Sequence, residues 1–408
     1  MSFDQLDTQM QMHDDSCCYI VLLGLVGFFC RLQNPSFESP PTNLTTDSTS
    51  QSVLLDTKAN VIPGWSFNGT VWYVTAGAEN ISLPGNGHGL QLGPTGMINQ
   101  TFKTDGSYDY VLTFTLAPSS INCANNLTAV NVSGPSRSEV FFFKESYGNQ
   151  LWQTYGYSIG SNEIRRGIMG IQVQSVVNDR RDNMTCWPIV DTFLVNGIQN
   201  PRLYEDNGLV NSGFEVGPSF IDNSSQGILL EADSDNDPFS LVQSPLQYWT
   251  ILGTVKYIDS KHYAVPRGRG AVELLSGDPS GIVANVYFLK HGQVTLDFIM
   301  GDANDSCVGD FMVFLQVGNA IWNFTMRSIG VGSRERHSVT FKAEFSNTES
   351  VPISFYSFNE TRTRNHQVLC GPVIDSTVLR FSSGLRTAKL YNGFLIFNFI
   401  LAIISSIN

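Results

Sequence analysis

Charged residues, metal-ligand spacings and helical periodicity are all scarce in this chain. Charged residues make up only 15% of its 408 residues, and acids outnumber bases to give a net charge of −12. Such a chain should repel nucleic acid and polygalacturonate at neutral pH. No close pair such as Cys-x-x-Cys is present, and the six histidines are scattered, so no metal site is predicted. No stretch between the termini shows a capped helical period, which removes α/β folds from contention.

The main feature of the sequence is an internal repeat. The segment Cys186-Trp-Pro-Ile-Val-Asp191 is echoed 184 residues later by Cys370-Gly-Pro-Val-Ile-Asp375. A second pair, Cys123 and Cys307, obeys the same offset, so each copy contains two cysteines 63 residues apart. Further echoes follow in the same order, including Asn-x-x-Phe-Glu at 34–38 and 211–215. The chain is therefore predicted to hold two copies of one domain.

The repeat also selects a disulfide pattern. Cys17, Cys18 and Cys30 lie in or beside an apolar N-terminal run, which leaves four cysteines. Four cysteines allow three pairings, and the repeat favours one bond inside each copy. The predicted disulfides are Cys123–Cys186 and Cys307–Cys370, which implies an oxidising compartment.

The N-terminal run has the length of a signal-peptide core and is too short to span a bilayer. Its flank is acidic, where a basic one is expected. Eleven Asn-x-Ser/Thr sequons support secretion independently. These predicted glycosylation sites are Asn43, Asn68, Asn80, Asn99, Asn126, Asn131, Asn183, Asn223, Asn304, Asn323 and Asn359.

The C-terminus has the layout of a lipid-anchor signal. Ser382, Ser383 and Gly384 precede a short spacer, and an apolar tail follows. This layout favours removal of the tail and attachment of a glycosylphosphatidylinositol (GPI) anchor at Ser382 or Ser383. A short membrane span and a buried terminal strand are the alternatives; the tail is short for a span and lacks a basic flank.

Short runs rich in Val, Ile, Phe, Tyr and Thr fill each copy, often alternating and bounded by turn residues. The segments 293–299 and 311–317 are examples. About 170 residues of short strands per copy favour a β-sandwich, and a jelly roll accommodates that many strands in two sheets. The predicted divisions are a signal peptide at 1–32, β-sandwiches at 33–199 and 208–382, and a removed tail at 383–408.

Together these motifs resemble the plant cell-wall family of domain of unknown function 642. The residues that carry the resemblance include the Asn-x-x-Phe-Glu pair, Pro-Gly-Trp at 63–65, Val-Lys-Tyr-Ile-Asp at 255–259, Gly-Asp-Ala-Asn-Asp-Ser-Cys at 301–307 and Cys-Gly-Pro-Val-Ile-Asp at 370–375. The first copy departs from the pattern at Trp187, where the family has Gly, and lacks the Gly-Asp-Ala lead-in before Cys123. Family-typical contacts are therefore expected mainly in the second copy.

The resemblance implies two tandem galactose-binding-like jelly rolls, secreted to the plant cell wall. It further implies binding to wall polysaccharide and association with pectin methylesterases. Some members of the family carry an anchor signal. No cofactor is expected, although galactose-binding-like sandwiches often hold a structural calcium.

Three motifs that resemble catalytic or metal sites are better explained structurally. The sequence Gly-Tyr-Ser-Ile-Gly at 156–160 fits a nucleophile elbow, but no helix pattern follows it and the next histidine lies in the other copy. The acidic run 233–237 resembles half a calcium loop but has Pro238 where Gly is required. Asp191 and Asp375 are expected to bind backbone amides at strand ends.

Sugar binding needs flat aromatic faces with polar neighbours. Trp65 and Trp249 recur in both copies and are predicted to be core. The tryptophans without a repeated partner are the candidate platforms, with a packed position as the equal alternative for each. The basic turn 266–270 supplies candidate polar partners, with a solvated hairpin tip as the alternative. These candidates are Trp72, Trp152, Trp187, Trp322, Arg267 and Arg269.

The sequence thus predicts a non-catalytic, lectin-like wall protein. A wall hydrolase or esterase using Glu273 or Asp375 is one alternative, and an adhesion module without sugar affinity is another. Because the net charge falls towards zero in an acidic wall, we expect tighter retention at low pH. Equal elution from wall material between about pH 4.5 and 7.5 at fixed salt would contradict this expectation.

Overall fold

A computed structural model describes residues 19–22, 25–28, 32–44, 52–77, 81–104, 106, 109–123, 128–161, 167–177, 186–198, 207–222, 224–232, 244–275, 279–288, 292–343 and 350–381. Most of the predicted signal peptide, the tail, Ser382 and Ser383 lie outside these residues. So do the sequons at Asn80, Asn126, Asn183 and Asn223.

Strands account for nearly all regular structure, and the described residues contain no α-helix. The strands up to the end of the first copy are β1 (Tyr19–Leu22), β2 (Leu25–Phe28), β3 (Ser52–Leu54), β4 (Ser66–Asn68), β5 (Val71–Thr75), β6 (His88–Leu92), β7 (Met97–Lys103), β8 (Asp109–Pro118), β9 (Thr128–Ser133), β10 (Ser138–Phe142), β11 (Gln153–Gly160), β12 (Ile168–Val177) and β13 (Pro188–Ile198). Single 3₁₀ turns occupy Pro84–Asn86, Ile121–Cys123 and Glu145–Tyr147.

The second copy continues the series. Its strands are β14 (Ile228–Glu231), β15 (Thr250–Leu252), β16 (Thr254–Asp259), β17 (Gly270–Leu274), β18 (Ser280–Tyr287), β19 (Gly292–Gly301), β20 (Cys307–Val317), β21 (Ala320–Ile329), β22 (Arg334–Ala343), β23 (Ser350–Ser357), β24 (Thr361–Thr363), β25 (Leu369–Cys370) and β26 (Val373–Phe381).

Each copy is a β-sandwich with its own small sheet, and the two copies share one large sheet. The small sheet of the first copy has the order β10-β9-β12-β7-β4, and that of the second has the order β15-β18-β23-β20-β24-β25, with β21 paired to β20. The large sheet has twelve strands in the order β22-β19-β26-β17-β16-β14-β11-β8-β13-β6-β5-β3. Successive strands alternate between the large and small sheets from β6 to β9, from β10 to β13 and from β17 to β20, as in a jelly roll. The predicted fold class is confirmed.

The large sheet is continuous because β11 of the first copy pairs in parallel with β14 of the second, through Thr154 with Ile228 and Tyr155 with Leu229. The strand order is the same in both halves, so β3, β5, β6, β13, β8 and β11 correspond to β14, β16, β17, β26, β19 and β22. One copy's last edge therefore joins the other's first edge.

Because successive side chains of a strand point to opposite faces of the sheet, alternate residues form two hydrophobic cores. In β8, the alternate residues from Tyr110 to Leu116 point into the first core, and in β20 those from Phe311 to Val317 point into the second. Trp65 and Trp249 are core residues, as predicted, at 4% and 1% exposed. Each indole nitrogen donates a hydrogen bond to a backbone carbonyl, which satisfies its only donor.

Both predicted disulfides are present. Cys123 bonds Cys186 and Cys307 bonds Cys370, each across 63 residues. None of the described segments forms an apolar helix of membrane-spanning length.

Candidate functional site

A row of side chains crosses the outer face of the large sheet in the first sandwich. Cross-strand pairing places its members side by side from β3 to β8, in the order Leu54, Trp72, Gln91, Ile189, Ala117. Trp152 packs in the same apolar cluster as Ile189 and Ala117. We call these six residues the tryptophan row. It brings together two of the four predicted platform tryptophans.

The tryptophan row is mostly packed. Trp152 is buried, with 7% of its surface exposed, so the prediction that it is an exposed platform is not supported. Trp72 is half-buried and its indole lies against Gly93, where an added Cβ would stand 2.3 Å from Cζ3. Glycine at 93 is therefore needed for the ring to lie against the backbone. Trp187 is also half-buried.

Trp322 contributes to packing around the core of the second sandwich. It lies on β21, half-buried, and packs against the second core. Its ring centroid is 5.9 Å from that of Phe341. Trp322 therefore does not supply an open stacking face on the outer side of the sheet.

The second sandwich has an ion pair where the first has Trp72 and Gln91. The corresponding pair on β16 and β17 is Lys256 and Glu273, with Nζ 2.9 Å from Oε2. Gly371 N donates to the other oxygen of Glu273 at 3.0 Å. Burial raises the pKa of Glu273 to about 7. The carboxyl group is 0% exposed, so no polymer substrate reaches it.

The basic turn 266–270 is held by acids that belong to the repeat. Arg269 N donates to Glu215 Oε1 at 2.9 Å, and Arg267 N donates to Asp375 Oδ2 at 2.7 Å. Gly268 has φ +80° and an added Cβ would lie 1.8 Å from Glu215 Oε1. The side chains of Arg267 and Arg269 are exposed. Arg269 Nε also lies 3.5 Å from Glu215 Oε2, and both arginine side chains are open to solvent while the turn itself is fixed.

The two repeated aspartates bind backbone, as the sequence predicts. Thr192 N donates to Asp191 at 2.6 Å, and both Arg267 N and Ser376 N donate to Asp375. Burial raises the pKa of Asp375 to about 7 and that of Asp191 well above its usual value. Asp191 and Asp375 are 1% and 0% exposed. Their raised pKa values therefore arise inside the fold and not in a cleft.

A group of aromatic rings, two half-buried and one exposed, lies on the outer face of the second small sheet. Phe314 on β20 and Tyr356 on β23 are cross-strand partners with ring centroids 5.4 Å apart and planes 16° apart. Phe358 follows β23, and its centroid is 4.5 Å from that of Phe314 at 18°. Phe358 is 51% exposed. We call Phe314, Tyr356 and Phe358 the aromatic platform.

Polar side chains border the platform. Gln316 lies two residues from Phe314 on the same face of β20 and donates to Gly318 O at 2.9 Å. Asn323 on β21 lies opposite Phe314. Gly281 on β18 lies opposite Tyr356, where an added Cβ would stand 2.7 Å from Tyr356 Cβ, so glycine allows the two strands to approach closely. The exposed ring of Phe358 thus lies near amide groups, and an apolar surface with a few polar groups is typical of ligand sites.

The platform was not predicted from the sequence because only tryptophans were considered as stacking residues for a sugar. The signal was present in the run Phe311-Met-Val-Phe-Leu-Gln-Val317, where apolar residues occupy outward positions as well as core positions. An outward-facing phenylalanine on an alternating strand marks an exposed apolar site. The neighbouring positions of Tyr356 and Phe358 depend on strand pairing, which a single sequence does not show.

Comparisons with known proteins identify relatives along most of the chain. A family model described as "Protein of unknown function (DUF642)" matches residues 30–196 and 209–380. Protein DUF642 L-GALACTONO-1,4-LACTONE-RESPONSIVE GENE 2 of Arabidopsis thaliana is 30% identical over 325 residues, covering 78% of this chain and 84% of the relative. Protein TEEBE, also of Arabidopsis thaliana, is 30% identical over 329 residues, covering 79% and 84%.

Two solved structures also align, with low scores. The TmCBM61 complex with beta-1,4-galactotriose is 15% identical, with a TM-score of 0.24, over 40% of this chain and 95% of that one. The CBM22-1-CBM22-2 tandem domain from Paenibacillus barcinonensis Xyn10C is 10% identical, with a TM-score of 0.26, over 85% and 96%. These scores are too low to bear on function.

Proposed function

Because the chain belongs to the DUF642 family and has relatives in Arabidopsis thaliana, we propose that it is a non-catalytic, secreted cell-wall protein that binds wall polysaccharide. The observation that carries the proposal is the aromatic platform: Tyr356 and Phe358 each lie within 18° of the plane of Phe314, Phe358 is half exposed, and amide side chains border the group. Such a surface offers stacking to the C–H face of a sugar and hydrogen bonds to its hydroxyls.

The buried acids support a non-catalytic role. Glycoside hydrolysis needs two carboxyl groups that flank the substrate in a cleft. Glu273 and Asp375, the acids named for the hydrolase alternative, are both 0% exposed and hydrogen-bonded to protein donors. A polymer cannot approach either group without unfolding the sheet around it.

The partners follow from charge and family. A net charge of −12 disfavours polygalacturonate at neutral pH and favours neutral polysaccharide or a basic protein. The family resemblance implies that a pectin methylesterase is the protein partner. The exposed side chains of Arg267 and Arg269 are proposed as secondary contacts for the bound chain.

The compartment is proposed to be the apoplast, with a GPI anchor holding the protein to the outer face of the plasma membrane. The two disulfides fit folding in an oxidising compartment. The sequons and the C-terminal signal add to this expectation, and the protein is proposed to be a glycoprotein. The adhesion module without sugar affinity remains the second candidate, because the platform's rings also fit an apolar protein surface.

A polysaccharide microarray tests the proposal. Enzymatically deglycosylated protein is applied to arrays of pectin, xylan, xyloglucan and glucans, beside the variant F314A/Y356A/F358A. We expect binding by the native sequence to at least one neutral polysaccharide and its loss in the variant. No binding to any polysaccharide would favour the adhesion module, and product release that depends on Glu273 or Asp375 would favour the hydrolase.

A further inference from the structure

Sequons are unevenly distributed between the sheets. Four sequon asparagines lie within described strands, and all four are on small sheets: Asn68 on β4, Asn99 on β7, Asn131 on β9 and Asn323 on β21. Among the described strands of the large sheet, none contains a sequon asparagine. Carbohydrate attached to these strands would therefore extend over the small-sheet faces.

One of the four lies beside the aromatic platform. Asn323 and Phe314 are direct cross-strand partners on β21 and β20. Partners in an antiparallel pair point to the same face of a sheet, with Cβ atoms about 5 Å apart. Phe314 is therefore flanked by Tyr356 on one side and by Asn323 on the other.

The strand orientation directs the sequon outward. Trp322 and Phe324 pack against the second core, so the residues between and beyond them face solvent. Asn323 and the sequon's Thr325 are both exposed. An oligosaccharide transferred to the amide of Asn323 would leave the sheet next to the Phe314 ring.

We propose that the first N-acetylglucosamine of an N-glycan on Asn323 stacks on Phe314 and covers the aromatic platform, so that occupancy of this sequon controls access of polysaccharide. This inference rests on the proposed function, because it requires secretion and a sugar-binding platform. The apolar face of the attached sugar takes the position that the wall polysaccharide would otherwise occupy. The glycan thus stabilises the second sandwich and competes with the external ligand.

The test compares glycoproteins from a plant secretory host. Peptide mapping first measures occupancy at Asn323. Thermal unfolding is then measured for Asn323→Gln and for Thr325→Ala, which removes the sequon and keeps the asparagine, each in the native and Phe314→Ala backgrounds. We expect each change to lower Tm by about 2 °C in the native background and to have no effect with Phe314→Ala.

Asn131→Gln is the matched control. Asn131 is also a sequon residue on a small-sheet strand, but its cross-strand partners are Val140 and Gln174, neither of them aromatic. Its Tm change should be the same with and without Phe314. An unoccupied Asn323, or equal Tm losses in both Phe314 backgrounds, would overturn the inference.

Measurements of polysaccharide binding distinguish failure of this inference from failure of the proposed function. We expect Asn323→Gln to bind at least several-fold more tightly than the native glycoprotein, and Asn131→Gln to bind as the native form does. If Tm couples Asn323 to Phe314 but neither form binds polysaccharide, the stacking stands and the proposed function fails. If the deglycosylated form binds and Asn323→Gln does not tighten binding, the control of access is wrong while the proposed function stands.

Discussion

Two tyrosine–phenylalanine contacts show which residues of the repeat serve the fold. Tyr73 donates to Phe37 O at 2.9 Å, and Tyr257 donates to Phe214 O at 2.8 Å. Both phenylalanines have positive φ, of 57° and 52°, and are fully buried. The hydrogen bond holds a backbone conformation that non-glycine residues seldom adopt. The recurrence of these residues in both copies is therefore explained by their structural role.

Asp375 makes folding stability depend on pH. Its pKa is about 7 in the folded protein and near 4 when unfolded, because burial disfavours the charged form. The folded state therefore binds more protons between these values, and stability is lost as pH rises from about 4 through about 7. We expect the unfolding free energy to fall by up to about 4 kcal/mol over this interval on account of Asp375.

Asp375→Asn tests that expectation by urea unfolding at a series of pH values. The substitution keeps an acceptor for Arg267 N and removes the titrating group. The variant should show a shallower decline with pH than the native protein. Parallel declines in the two proteins would show that Asp375 is not the source.

The junction of β11 and β14 joins the two sandwiches. Leu229 lies on β14 but packs within the first core, while its neighbour Leu230 packs within the second. Lys144 and Glu231 form an ion pair across the junction with N and O atoms 3.1 Å apart. Gly156 on β11 leaves space that Leu230, Pro218 and Ile228 fill. The sandwiches should therefore unfold together.

Leu229→Ala should weaken that coupling. Loss of a buried leucine costs roughly 2–5 kcal/mol, and here the cavity opens at the junction. Differential scanning calorimetry should show one transition in the native protein and two in the variant. The matched control Leu315→Ala, which lies in the second core on the small sheet away from the junction, should lower stability and keep one transition. Identical profiles for the two variants would contradict this account of the junction.

The disulfide between Cys307 and Cys370 connects β20 to β25. Closing a loop of 63 residues restricts the unfolded chain and should stabilise the second sandwich by about 4 kcal/mol in the chain-entropy description. Cys307→Ala with Cys370→Ala should lower the urea midpoint accordingly. A loss below about 1 kcal/mol would show that the chain-entropy term is offset in this fold.

The free edge of the large sheet at β22 is charged. Arg334, Glu335, Arg336 and Lys342 are all exposed along this strand, whereas its counterpart β11 is buried throughout. Charged side chains on an edge strand disfavour pairing with another chain. The first copy's equivalent edge, β11, is instead paired with β14 of the second copy.

The sequence was sufficient to predict two sandwiches and their disulfides because duplication repeats its landmarks. The offset shared by the four cysteines predicted both disulfides, and strand alternation predicted the sandwiches. The shared twelve-stranded sheet could not be predicted, because it depends on a two-pair parallel contact between Thr154–Tyr155 and Ile228–Leu229. Neither segment has a sequence feature that specifies its partner.

The site was less predictable than the fold. A tryptophan without a repeated partner can lie on either face, and Trp152 and Trp322 proved to be packed against cores. Phe314, Tyr356 and Phe358 are separated by up to 44 residues and meet only when β20 pairs with β23. Exposure of an aromatic residue depends on its face of the strand, which alternates with each residue.

Titration calorimetry with deglycosylated protein measures directly whether Phe314, Tyr356 and Phe358 bind polysaccharide. The ligand is the neutral polysaccharide that the array identifies, and the variants are Phe358→Ala and Ile329→Ala. Ile329 is 54% exposed on the same sheet, so it matches the loss of apolar surface. We predict binding about tenfold weaker for Phe358→Ala and unchanged for Ile329→Ala. Equal affinities for Phe358→Ala and the native protein would contradict the account.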